Sequence, residues 1–131
     1  MREMVLSLLI AVLVVWGCSR SQPSAEEMKA LAMLQSVQGG IETNPSVAGY
    51  TQLLGQAESE LTLLKQNPKT NPCFLNVLEK GYASCQIAGK ALQKKLETQD
   101  PVRQQDFDMA LTFSTAFAAV SIQRAVECYA K

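Results

Sequence analysis

Three of the four Asx-Pro pairs constrain this chain more than any other feature: Asn44-Pro45, Asn71-Pro72 and Asp100-Pro101, the fourth, Asn67-Pro68, being a turn in the link ahead of Asn71-Pro72. An Asn or Asp side chain accepts from the free N–H groups of a helix's first turn. Proline suits the first helical position because an N–H there would have no partner. Each of these three pairs therefore reads as a helix start. A fourth start is Ser24-Ala25-Glu26-Glu27, a capping box in which Glu27 reaches back to the cap backbone. Apolar residues recur at helical spacing after each start. The second helix carries Val47, Tyr50, Leu54, Ala57, Leu61 and Leu64, and the third carries Leu75, Leu78, Tyr82, Cys85, Gly89, Leu92 and Leu96, both at alternating steps of three and four. The first carries Met28, Leu31, Leu34 and Val37 and is expected to stop at Gly39-Gly40. The fourth carries Phe107, Leu111, Phe113, Phe117, Val120, Ile122 and Val126 and is expected to run near Lys131. No run alternates with a period of two, so no strand is expected. Short links between amphipathic helices predict an all-α, small antiparallel up-down bundle of about four helices. The first helix is the shortest and is expected to lie across one end.

Composition narrows the function classes. The chain has 131 residues, one domain's worth, with 12 Lys+Arg against 12 Asp+Glu and 47% hydrophobic residues. Such a chain is too apolar and too neutral to be a disordered solvating segment. It has no basic excess to neutralise phosphates, so no nucleic-acid partner is expected. There is no histidine, which removes the commonest general base and the commonest metal ligand. Paired carboxylates, nucleophile–base sets and phosphate-cradling loops are missing too. The sequence thus predicts no enzyme, no cofactor and no metal site. Asp100, Asp106 and Asp108 read as favourable charge at the positive end of the fourth helix, and Lys90, Lys94 and Lys95 as favourable charge near the end of the third.

The N-terminus reads as a targeting segment. Met4 to Trp16 is a 13-residue run, apolar except for Ser7. A membrane span needs about 20 residues, whereas a signal-peptide core needs fewer. The run closes in Val15-Trp16-Gly17-Cys18, which resembles the lipobox of bacterial lipoproteins: an aliphatic residue, a small residue before the cleavage point, then cysteine. Trp16 is larger than the residues usual at its position. The resemblance implies cleavage before Cys18, a diacylglycerol thioether on Cys18 and acylation of the new N-terminus. Ser19 rather than aspartate after Cys18 implies the outer membrane, facing the periplasm. Residues 1–17 are then a signal peptide, 18–23 a lipidated cysteine and short tether, and 24–131 the helical domain. Removing 17 of the 131 residues leaves a mature chain of 114.

With Cys18 assigned to lipid, Cys73, Cys85 and Cys128 remain. Cys73 falls in the first turn of the third helix and Cys128 in the last turn of the fourth. If the two helices are antiparallel about a turn near residue 99, residue 73 lies opposite roughly residue 127, so Cys73 and Cys128 should pair. Cys85 is separated from each by about 18 Å of helix rise, beyond the roughly 7 Å limit for bridging Cα atoms. It is read as a small buried hydrophobe, with a reactive thiol or an intermolecular bridge as the alternative.

Met109 to Gln123 is a stretch of 15 residues without a charge. It reads either as a helix buried by its neighbours or as one that keeps an apolar face for a partner. Met109, Phe113, Phe117 and Val120 are the candidate partner surface. Ala110, Ser114, Ala118 and Ser121, with Gly81, Ala88 and Gly89 on the third helix, would allow close packing. Two functions remain open. One is a lipid-anchored envelope module that acts as adaptor, pilot or inhibitor of another envelope protein. It is similar in architecture to small lipid-anchored helical proteins such as secretion pilotins, with no shared motif. The other is a carrier that binds an apolar small molecule or lipid between its helices.

Overall fold

The computed structural model describes residues 22–43 and 46–129. The signal segment, Cys18 and the Asn44-Pro45 pair lie outside the described residues. Four helices account for nearly all of the rest: α1 (Ala25–Thr43), α2 (Val47–Gln66), α3 (Pro72–Glu97) and α4 (Pro101–Glu127). No strand occurs among the described residues.

The helix starts follow the capping chemistry. The Ser24 N–H donates to Glu27 Oε1 at 3.0 Å while the Glu27 N–H donates to Ser24 Oγ at 3.1 Å. Asn71 accepts from the Cys73 and Phe74 N–H groups ahead of Pro72, and Asp100 accepts from the Val102 N–H ahead of Pro101. At α2 the cap is Ser46, whose hydroxyl accepts from the Gly49 N–H, and the helix begins at Val47. The start is thus later than the expected Asn44 cap.

Two sequence expectations for α1 are corrected. The helix does not stop at Gly39-Gly40 but continues to Thr43. A glycine stop needs a left-handed residue, and no described glycine has positive φ. Gly40 serves instead as a contact: a Cβ there would stand 2.8 Å from Leu53 Cδ1 on α2. Nor does α1 lie across one end. It runs antiparallel along α2, with Asn67 Nδ2 donating to Glu26 at one end, Lys29 paired with Glu60 at 3.3 Å next, and Gly40 against Leu53 at the other.

The bundle is flattened. α1 and α3 meet across the diagonal, while α2 and α4 do not touch. The core is drawn from Leu31, Leu34 and Val37 on α1, Tyr50, Leu61 and Leu64 on α2, and Phe74, Leu78, Cys85 and Leu92 on α3. Leu96, counted in the α3 stripe by its spacing, is 59% exposed. Tyr50, in the first turn of α2, lies level with Cys85 to Gly89 of α3. Tyr50 fixes that level. Its hydroxyl donates to the Cys85 carbonyl at 2.7 Å, and its ring lies where a Cβ on Gly89 would be, with Cε1 at 2.8 Å.

α3 and α4 meet through small residues. A Cβ on Gly81 would stand 3.5 Å from Ser121 Cβ and 3.6 Å from Ile122 Cγ1. Ser114, Ala118, Ile122 and Ala125 are the buried residues of α4. At the far end of this pair Cys73 and Cys128 stand at disulfide distance, with Cα atoms 5.8 Å apart, as the antiparallel register predicts. Beside them the Tyr129 hydroxyl donates to Glu27 Oε2, and the Tyr129 ring meets Phe74 edge-on with centroids 5.6 Å apart. The same Glu27 oxygen accepts from the Asn71 N–H at 3.4 Å. One buried carboxylate thereby joins the start of α1, the start of α3 and the end of α4.

Two tests follow from this packing. Alanine at an exposed helical glycine gains about 0.5 to 1 kcal/mol, and a Cβ on Gly55 meets nothing within 4 Å, so Gly55→Ala should raise the urea midpoint. Gly89→Ala gains the same propensity but drives a methyl into the Tyr50 ring; a net loss of about 1 to 2 kcal/mol is expected, with a lowered midpoint. The Cys73–Cys128 link closes a separation of 55 residues. Its removal by Cys73→Ala with Cys128→Ala should cost about 2 to 5 kcal/mol in urea unfolding, and non-reducing peptide maps of the wild-type chain should join those two cysteines.

Candidate functional site

The face that α4 turns away from the bundle is the most unusual surface of the chain. Among the described residues, six of the ten exposed large hydrophobic residues sit on this helix: Val102, Met109, Phe113, Phe117, Val120 and Val126. Phe113 and Phe117 are 60% and 65% exposed, Met109 53% and Val120 45%. The structure therefore brings all four candidate surface residues to the solvent side. Of the two readings of the uncharged stretch, a helix buried by its neighbours or one that keeps an apolar face outside, the exposure matches the second, and Val126 is 52% exposed as well. The cause is geometric. Close approach to α3 requires the small side of α4 to face inward. Its bulky side lies roughly opposite on the helical wheel. α2, which could have covered that side, does not reach α4. Single exposed apolar residues are ordinary, but a contiguous row of them marks an interaction surface.

By length and composition α4 is the one described helix that could cross a membrane, with 22% of its most apolar window buried. Its uncharged stretch covers only about 22 Å, short of a hydrocarbon core of about 30 Å. Asp108, just before that stretch, is ion-paired to Lys95 of α3 at 2.5 Å. α4 is thus tied to α3 by an ion pair near its start and by the cysteine pair just past its end.

Beside this face the C-terminal half of α1 and α4 frame a groove of about 410 Å³, lined by Gln38, Ile41, Leu111, Thr112, Thr115 and Ala116 among others, which opens to solvent. Among the described residues no buried side-chain N or O lacks a partner, and no three His, Cys, Asp or Glu side chains converge on a common point. Asp100, Asp106 and Asp108 do not form a cluster. Asp100 caps α4 and lies 4.0 Å from Arg103, Asp108 pairs with Lys95, and Asp106 stands on the outward face.

Among the described residues Cys85 is the free thiol, buried against Tyr50. Burial pushes its pKa from 9.0 up to about 11, with the Tyr50 hydroxyl acting weakly in the other direction. Burial likewise raises the Tyr50 pKa, reinforced by its neighbour Cys85. The thiolate that a reactive cysteine needs is thus suppressed. Because the folded pKa lies above the ordinary value, this thiol's contribution to stability is full below about pH 9 and is lost as pH rises through about 11. Unfolding titrations should show that alkaline loss. Thiol-specific reagents at pH 8 should leave Cys85 unmodified in the native chain and label it after denaturation.

Comparison with models of protein families, with curated proteins and with solved structures finds no match to this chain.

Proposed function

We propose that this chain is a lipid-anchored interaction module of the bacterial cell envelope, non-catalytic, which docks a protein partner on the outward face of α4. In this reading Cys18 carries the lipid, in the outer membrane facing the periplasm, and the helical domain acts as adaptor, pilot or inhibitor. The observation that carries it is the row of Met109, Phe113, Phe117 and Val120 on the solvent side of a helix that is packed by its small side. A peptide or protein helix laid on such a face is a common recognition mode, with anchors at i, i+4 and i+7. Phe113, Phe117 and Val120 supply that spacing, with Met109 one turn earlier.

The lipid anchor and the helical face support each other. The tether between Cys18 and the cap Ser24 spans about 20 Å at most, so the docking face stays beside the membrane. Two or three acyl chains hold a protein there durably, where one would not. The alternative, a carrier of an apolar molecule, would use the groove between α1 and α4. That groove is open and bordered by Gln38, Thr112 and Thr115, whereas carriers enclose most of an apolar ligand.

Mass spectrometry of the chain recovered from membranes should give an acylated Cys18 as the N-terminal residue, and Cys18→Ser should release the protein from the membrane. A mature N-terminus at Ser19 or beyond would refute the anchor. For the docking face, Phe113→Asp and Phe117→Asp should each leave the thermal melt within about 0.5 kcal/mol of wild type, as for exposed sites, and abolish partner binding. Loss of folding in both would place the face in the core instead.

A further inference from the structure

We infer that the partner seated on α4 is a second copy of this chain, with the two α4 helices antiparallel about a two-fold axis level with Thr115. The inference rests on the reading of α4 as a docking face and names its occupant. One line of outward or half-exposed residues runs along the helix: Asp106, Ala110, Phe113, Phe117, Val120 and Arg124. The steps are four, three, four, three, four, the spacing of a helix-pairing seam. At 100° per residue these six side chains stay within about 80° of one another.

The line is complementary to its own reverse. Laid antiparallel about Thr115, Asp106 meets Arg124 of the second copy, Ala110 meets Val120, and Phe113 meets Phe117. Each pairing occurs twice, as a two-fold contact requires. Small faces large, aromatic faces aromatic, and opposite charges close both ends. A parallel pair would instead set Asp106 against Asp106 and Arg124 against Arg124. The charges at these ends are also the ones left available. Asp100 lies near Arg103, and Asp108 pairs with Lys95, while neither Asp106 nor Arg124 has an ion-pair partner within the described residues.

A lipid surface fits the same face less well. Helices that lie in a membrane interface are rich in Lys and Arg beside their apolar side. Here the flanking charges are mixed, with Asp106, Arg124 and Glu127 all exposed. The anchor is compatible with the antiparallel pair. Glu27 and Tyr129 hold the start of α1 at the C-terminal end of α4, so the two tethers leave from opposite ends of the paired helices. Both reach one membrane when α4 lies parallel to it.

The test is a charge-reversal set in the full chain, with self-association followed by sedimentation over a concentration range in mild detergent. Circular dichroism melts confirm that each exposed-site variant is folded. The wild type should dimerise. Asp106→Arg and Arg124→Asp should each weaken the dimer by about tenfold or more, because two attractions become two repulsions. The double variant should recover to within about threefold of wild type. Singles that have no effect, or a double no tighter than the singles, would overturn the antiparallel register. A wild-type chain that stays monomeric across the range would overturn self-pairing. In that case, binding of a different envelope protein that is abolished by Phe117→Asp would leave the docking face standing. Indifference of every such complex to Phe113→Asp and Phe117→Asp would remove the docking face as well.

Discussion

Close contact between α3 and α4 governs the rest of the molecule. Gly81 on α3 faces Ser121 and Ile122 of α4 at ordinary contact distance and Leu34 of α1 more tightly, where a Cβ would stand 3.1 Å from Leu34 Cδ2, and Ser114, Ala118 and Ala125 lie on the buried side of α4. Two helices that approach this closely gain dense dispersion contacts along their length. They can do so only by turning small residues toward each other. The Phe side chains of α4 are thereby committed to the outside. A looser pairing that buried Phe113 and Phe117 would have required α2 to swing over α4, but α2 is held on the other side of α3 by Tyr50 and on α1 by Gly40 and Lys29.

The end of the bundle at the start of α1 is fastened most heavily. Glu27 is 3% exposed, and a buried carboxylate without partners would be strongly destabilising. It is satisfied by the Ser24 N–H, the Asn71 N–H and the Tyr129 hydroxyl. Cys73 and Cys128 lie next to it. Burial, then the Glu27 carboxylate, pushes the Tyr129 pKa up, so this phenol stays a donor at neutral pH. The result fixes three helix ends together at the point where the chain enters from its N-terminal segment. On the proposed reading, that is where an anchored domain must resist being peeled apart.

The outward face of α4 takes no part in these contacts. α4 offers aromatic and aliphatic side chains in a row, bounded by one acid and one base. A rigid scaffold that presents a fixed apolar face loses little conformational freedom on docking, which favours association through a modest area. Confinement of an anchored chain to a membrane plane would raise the effective concentration of its partner further.

Much of this protein is determined by local chemistry, and so is readable without the structure. The capping box at Ser24 and Glu27, the Asx-Pro starts of α3 and α4, and the seam from Tyr50 to Leu64 depend on neighbours within a few residues. The Cys73–Cys128 pairing follows from one turn and a constant rise per residue. Three features depend on partners distant in sequence, and the tertiary structure alone decided them. Gly39-Gly40 resembles a helix stop locally, yet α1 continues because Gly40 is needed against Leu53. Tyr129 lies near the chain end and gives no sequence signal, yet it donates to a carboxylate 102 residues away. The fourth helix is apolar on more than one side, so spacing could not say which side turns inward. The structure turns the side with Ser114, Ala118 and Ala125 inward, because small residues allow close packing, and leaves the larger residues of α4 in solvent.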